Sequence, residues 1–170
     1  PSGMDNTPRG RDVYDSIYWV DALAQQGLAA LSIARLAAIV GDTRCQHRFH
    51  QEYEAKKTLM QNYWDPFHEA FMDRLVSGDG FCPVLTPASF WPLLAEMATR
   101  EQAECMAGLL LDADKLGGPV PCPSVARDDP DFEEDGRYWR GSVWLPAAYM
   151  VIKGLERYGK FELASRLASE

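Results

Sequence analysis

The sequence is short of positive charge: 17 lysines and arginines face 25 aspartates and glutamates, for a net charge of −8 and an isoelectric point near 4.9. Nucleic acid and anionic membrane surfaces both select a basic face, so neither is expected as a partner. Histidine is nearly absent, with three in 170 residues. His47 and His50 stand three apart on a predicted helix, but no third ligand falls in register; solvated surface histidines are the expected reading, and no metal site is assigned. The four cysteines, Cys45, Cys82, Cys105 and Cys122, form no Cys-x-x-Cys pair, which argues against structural zinc and leaves them as buried thiols. No run of about 18 apolar residues is present, so no membrane-spanning segment is expected. There is no signal peptide either, but the sequence opens inside a motif, and that absence says nothing about the compartment.

What the sequence has is apolar helix. It is 46% hydrophobic, enough for one ordinary domain with a sizeable core. Residues 18–40 are rich in leucine, isoleucine and alanine, and their apolar positions fall on nearly every side, which predicts a helix buried on more than one face. Gly41 ends it, and Thr43 with Gln46 predicts a capping box for the next helix, 43–63, which carries one stripe of Cys45, Phe49, Tyr53, Met60 and Tyr63. The pairing recurs. Residues 89–98 are short and apolar, and Thr99 with Gln102 predicts a second capping box before a striped helix. Residues 143–155 are apolar all round, and 161–168 have one stripe. Three times an inner-type helix precedes an outer-type one, as in a layered barrel of helical hairpins. An ordinary bundle would give each helix a single stripe.

Two long connections, 62–87 and 117–141, interrupt this pattern. A short strand is expected within 71–76, where hydrophobic and polar residues nearly alternate. Loops of this length in a compact domain usually serve function or are disordered. Trp64, Phe81, Phe132, Tyr138 and Trp139 offer flat apolar surfaces on which sugar rings stack, or else they seal the top of the helical core. Arg140 has a planar fork suited to a hydroxyl pair or a carboxylate, and Gly141 lets backbone approach a ligand; the alternative for Arg140 is an ion pair with the acidic run Glu133, Glu134 and Asp135. At the other end of the chain, Ser2-Gly3-Met4-Asp5-Asn6-Thr7-Pro8-Arg9 reads as a tight turn. Either Asp5 and Asn6 bond locally and Arg9 pairs with a surface acid, or Asp5 is a general acid beside an apolar wall drawn from Met4, Tyr14, Tyr18 and Trp19.

That opening stretch resembles the Ser-Gly-Met-Asp-Asn-Ser-Pro-Arg signature of the trehalase-like glycosidases, in particular glycoside hydrolase family 63 and its mannosylglycerate hydrolase relatives. Two further stretches agree in order: Pro123-Ser124-Val125 with Asp128-Asp129-Pro130-Asp131-Phe132, and Tyr138-Trp139-Arg140-Gly141-Ser142-Val143-Trp144. Val20-Asp21 echoes a family Val-Asp-Leu-Asn, but Ala22 and Leu23 depart from it, and no role is carried onto them.

The resemblance implies an all-α fold, with helical hairpins forming part of an (α/α)6 toroid and long loops on one face. It implies an inverting glycosidase that cleaves an α-glucosidic or α-mannosidic bond of a small saccharide or glycoside. Asp5 would be the acid, and Asn6, Arg9, Tyr138, Trp139, Arg140 and Gly141 would bind substrate. The family's base is a glutamate beyond the helices matching 143–168, and only three hairpins are visible, so residues 1–170 are expected to be a C-terminal portion of a larger (α/α)6 catalytic domain, a portion that holds the acid and ends before the base. The alternative is a non-catalytic helical fragment or sugar-binding module whose uncovered faces drive self-association. A third reading makes Asp128, Asp129 or Asp131 the base. Protonation and water attack need only carboxyl groups, so no cofactor is implied.

Overall fold

The computed structural model describes residues 3–11, 14–78 and 80–169. Ser2 of the opening motif, Asp79 of the first long connection and the Tyr14 side chain expected in the apolar wall lie outside the described residues. Helix α1 (Val20–Val40) runs 21 residues and stops where Gly41 turns left-handed at φ +78°, a conformation that costs glycine little. Asp42 then caps α2 (Thr43–Met60), its carboxylate accepting from the Cys45 amide at 2.9 Å. The capping box expected of Thr43 and Gln46 is thus replaced by a cap one residue earlier, where aspartate outranks threonine as an acceptor.

α1 and α2 form the first hairpin. α1 buries a stripe of small residues, Ala24, Gly27, Ala30, Ala34 and Ala37, and at Gly27 an added Cβ would stand 1.8 Å from Met97 Cε. α2 returns Tyr53 and Met60, and a 3-10 extension, Gln61–Tyr63, adds Tyr63. The Tyr53 hydroxyl bonds the Glu96 carbonyl at 2.8 Å, tying this hairpin to the next one. A 3-10 turn (Pro87–Phe90) leads into the short α3 (Trp91–Leu94), and α4 (Arg100–Leu109) opens on the expected Thr99–Gln102 capping box. α5 (Leu145–Arg157) and α6 (Phe161–Ser169) make the third hairpin. α3 packs against both α1 and α5, and at Gly154 an added Cβ would lie 3.1 Å from Leu93 Cβ. The first members of the three hairpins therefore stand side by side, the arrangement of an (α/α)6-type ring.

One expectation is modified. α1 is buried along one face only, leaving Leu36 and Ile39 62% and 81% exposed, and α5 leaves Leu145 and Tyr149 open. An inner helix of a six-hairpin ring needs neighbours on both sides, and these residues supply three hairpins. The same composition makes α1 long and apolar enough, by length and composition alone, to cross a membrane, contrary to the expectation that no such run exists; its buried stripe against α2 accounts for that composition as an inner helix.

The long connections hold two small sheets. β1 (Ile17–Tyr18), β4 (Asp73–Leu75) and β5 (Phe81–Cys82) pair antiparallel in the order β1-β4-β5, and β2 (Trp64–Asp65) pairs with β3 (Ala70–Phe71). The strand expected within 71–76 is thus present in two pieces, split at Met72, whose amide instead bonds the Tyr63 carbonyl at 2.9 Å. The three-stranded sheet sets the position of Asp73.

Asp73 and Asp21, at the head of α1, close on Arg9, which is 1% exposed. The Arg9 Nε and Nη2 donate to the two Asp73 oxygens at 2.8 Å each. Its Nη1 and Nη2 reach Asp21 at 3.2 and 2.9 Å. Asp73 Oδ1 also accepts the Val20 amide at 2.8 Å, at the start of α1, and Trp19 lies under the guanidinium at 4.9 Å. Removing one partner from a buried pair leaves an uncompensated charge and costs about 3–5 kcal/mol, whereas an exposed pair is worth about 1 kcal/mol or less. Asp73→Ala is therefore expected to lower the denaturation midpoint of the chain sharply. Arg35→Ala, which breaks the half-exposed pair with Glu96, should barely move it; equal effects of the two variants in guanidinium titrations would contradict this ranking.

Candidate active site

Arg9 belongs to the opening motif, so its burial decides how that motif stands. The turn closes with the Thr7 amide on the Met4 carbonyl at 3.2 Å, and the Met4 sulfur accepts from Arg9 Nη1 at 3.4 Å. Met4 and Trp19 thus face Arg9, and Tyr18 is 55% exposed. The substrate contact expected of Arg9 is not available from this position. Its guanidinium is spent on two carboxylates and a thioether, and it anchors the turn from which Asp5 and Asn6 project. The surface-acid alternative fails for the same reason.

Asn6 joins the first motif to the third. Its Nδ2 donates to the Arg137 carbonyl at 2.8 Å, its Oδ1 accepts the Trp139 amide at 2.8 Å, and its own carbonyl accepts from Arg140 Nε at 3.2 Å. Every polar group of Asn6 named here goes to the loop, so Asn6 is a clamp on that loop. Between its two side-chain bonds the backbone takes left-handed conformations at Arg137 (φ +25°) and Tyr138 (φ +71°), which are costly for residues with a Cβ and persist only where surroundings enforce them.

Tyr138 comes out of this turn 49% exposed, and its hydroxyl donates to Asp5 Oδ2 at 2.9 Å. That bond and the charge behind it raise the phenol above its ordinary pKa. Beneath it Trp139 stacks on Trp144, 4.3 Å apart and 7° from parallel, and Trp144 meets the Tyr138 ring edge-on at 5.0 Å. The Trp144 indole donates to the Tyr138 carbonyl at 3.0 Å. Trp139 is half-buried, and its indole nitrogen forms no full hydrogen bond among the described residues.

The middle motif ties the other two together. Asp131 binds Arg140 Nη1 at 3.2 Å and pairs also with Arg11, so Arg140 is held by Asp131 and by Asn6, where the alternative expectation had the 133–135 acids. Ser124 accepts the Gly141 amide at 2.9 Å. Gly141, at φ +155°, passes so close to Glu133 that an added Cβ would stand 2.3 Å from its carbonyl oxygen. The close approach expected of Gly141 is therefore made to protein backbone. A cavity of about 670 Å³ lies beside it, lined in part by Arg127, Phe132, Glu134 and Ser142.

The carboxylates around the site differ in their partners. Asp21 and Asp73 hold Arg9, Asp131 holds Arg11 and Arg140, and Asp128 pairs with Lys115. Asp129 accepts the Asp131 amide at 2.8 Å, and burial pushes its carboxyl above the usual range. Asp5 is exposed and bonded to a neutral phenol. Among the described residues no three potential metal ligands cluster, and His50 sits by Glu54 on the exposed face of α2.

Of the residues expected to bind substrate, Asn6, Arg9, Arg140 and Gly141 are occupied in building the site, and Tyr138 and Trp139 form its aromatic surface beside Asp5. Asp21, Asp73, Ser124 and Trp144 do structural work here that sequence reading gave to none of them. Asp21, Ser124 and Trp144 stood within recognised stretches, and for Asp21 and Trp144 the signal was their chemistry: a carboxylate at a helix start and an indole close in sequence to Tyr138.

The sequence profile of the mannosylglycerate hydrolase MGH1-like glycoside hydrolase domain matches residues 2–170. The chain is 46% identical over 90 residues to mannosylglycerate hydrolase MGH1 of Selaginella moellendorffii, covering 51% of this chain and 17% of that protein. It is 26% identical over 172 residues to the mannosyl-oligosaccharide glucosidase of Saccharomyces cerevisiae, covering 93% and 20%. The crystal structure of the family 63 mannosylglycerate hydrolase of Thermus thermophilus superposes with a TM-score of 0.80 at 26% identity, over 90% of this chain and 36% of that one. The neutral trehalase of Saccharomyces cerevisiae shares the fold, with a TM-score of 0.79 at 23% identity, over 98% of this chain and 32% of that one. The chain thus spans about a third of the length of these solved structures and a fifth or less of the two curated relatives. Matched over nearly its whole length, the chain belongs to the family of mannosylglycerate hydrolase MGH1-like glycoside hydrolase domains.

Proposed function

We propose that this chain supplies the acid side of the active site of an inverting glycoside hydrolase, with Asp5 protonating the leaving oxygen of an α-mannosidic or α-glucosidic bond in a small saccharide or glycoside. The observation that carries the reading is the state of Asp5. Three separated motifs converge on one rigid loop assembly, and among the carboxylates described there Asp5 is exposed and bonded to a neutral phenol, whereas Asp131 and Asp128 are tied to cations. A general acid has to be reachable by substrate, and a carboxylate locked to an arginine is not.

In an inverting reaction the base activates water on the opposite face of the sugar, with the two carboxyl groups about 6.5–9.5 Å apart. The pairings of Asp128 and Asp131 with cations speak against either as the base, Asp129 is half-buried and bonded to the Asp131 amide of its own loop, and the base of this proposal comes from sequence outside these 170 residues. The chain's coverage of about a third of its solved relatives supports that division. Trp139 and Tyr138 offer the stacking surface for a sugar ring beside the acid. The open apolar faces of α1 and α5 would be covered by further hairpins, and in the isolated chain they favour self-association. Names of the relatives put mannosylglycerate, trehalose and glucosylated mannosyl-oligosaccharides first among compounds to try.

The test uses the natural protein that carries these residues at its own length, assayed on that panel, beside the 170-residue chain alone. Asp5→Asn is expected to lower kcat on unactivated α-glycosides by about 10²–10⁴-fold, the span of general acid catalysis, and much less on an α-glycosyl fluoride, whose leaving group needs no proton. The isolated chain is expected to turn over none of them. Wild-type rates in Asp5→Asn, on any unactivated substrate the protein hydrolyses, would remove Asp5 from the acid role.

A further inference from the structure

We infer that Tyr138 is the positioning residue of the acid: the turn at 137–139, clamped by Asn6, exists to aim its phenol at Asp5 Oδ2. This rests on the assignment of Asp5 as the acid.

Three observations converge on it. The turn is strained in a way nothing local requires, since Arg137 and Tyr138 both have positive φ and neither is a glycine or an asparagine. Such a conformation costs free energy and is kept only where the surroundings over-determine it. The surroundings do so here: Asn6 bonds the residues on either side of Tyr138, the Trp144 indole bonds the Tyr138 carbonyl, and two aromatic edges fix its ring. The outward product of the strain is one hydrogen bond, from the hydroxyl to Asp5 at 2.9 Å. The clamp comes from the residue next to Asp5 in sequence. Asp5 and the donor that orients it are therefore fixed to one frame, the Arg9-anchored turn.

The bond has a definite chemical consequence. With Oδ2 accepting from Tyr138, the transferable proton of the acid form stands on Oδ1. When the glycosidic carbon–oxygen bond breaks, that proton passes to the leaving oxygen, its O–H bonding pair stays on Asp5, and the carboxylate that remains keeps the phenol's hydrogen bond. No proton leaves Tyr138. A donor aimed at Oδ2 stabilises the charge that forms on the carboxyl as the proton departs. It also holds one carboxyl orientation out of several.

The experiment is the separate measurement of kcat and KM for Tyr138→Phe in the natural-length protein, on an unactivated alkyl α-mannoside or α-glucoside, with Asp5→Asn measured beside it. Phenylalanine keeps the ring against Trp139 and Trp144, so the melting temperature should hold and report an intact fold. Loss of the bond that orients the acid should lower kcat roughly tenfold and leave KM unchanged. On an α-glycosyl fluoride the loss should shrink. An unchanged kcat overturns the inference, and so does a rise in KM or a fall in kcat that is as large on the fluoride, since Tyr138 would then act on the sugar. If Asp5→Asn keeps wild-type turnover, the acid assignment itself fails, and that outcome is separate from the first.

Discussion

The buried ion-pair knot around Arg9 is the constraint on which the rest depends. A guanidinium at 1% exposure cannot be left without counter-charge, and it receives two carboxylates from two different parts of the chain, the head of α1 and strand β4. Asp73 spends a third bond on the first amide of α1, so the knot fixes the helix start, the small sheet and the opening turn relative to one another. Coulomb attraction alone gives such a pair little net gain over an apolar substitute. What the planar fork contributes is direction, because each bidentate contact holds an angle as well as a distance.

From that fixed turn the site is assembled through hydrogen bonds and ion pairs between loops. Asn6 reaches 131 and 133 residues along the chain to hold Arg137 and Trp139, and Asp131 links Arg11 to Arg140. Long-range polar clamps of this kind let loops of irregular conformation keep a defined shape without their own core. The loops are long because they have to cross the end of the helical layer and meet, and their prolines and glycines serve tight passages such as Gly141 against Glu133. The proposed acid thus sits on a framework built from three separated segments, and that framework accounts for the order and spacing of the motifs.

Most of the helical layer was legible in the sequence because apolar periodicity reports burial directly. The Thr99–Gln102 cap and the Gly41 stop were read from local chemistry and stand where expected. The cap of α2 was misplaced by one residue because threonine and aspartate are adjacent and both can cap. The one-sided burial of α1 was not legible, since an all-round apolar pattern records the covering of a complete ring. In the site, residue types pointed to segments that do converge in the fold, but to different partners. Arg9, Asn6 and Arg140 have side chains suited equally to sugars and to protein, and only geometry shows that they hold the protein. Asp73 carried no signal at all, since a lone aspartate in a short strand is commonplace until an arginine 64 residues away closes on it.

The proposed chemistry makes one stereochemical demand that no arrangement of binding residues can imitate. Water delivered to the face opposite the protonated leaving group must invert the anomeric centre. Proton NMR of the first sugar released from an α-glycoside by the natural-length protein, recorded before mutarotation, reads this directly. The account predicts the β-anomer first, and the α-anomer as the initial product would contradict it.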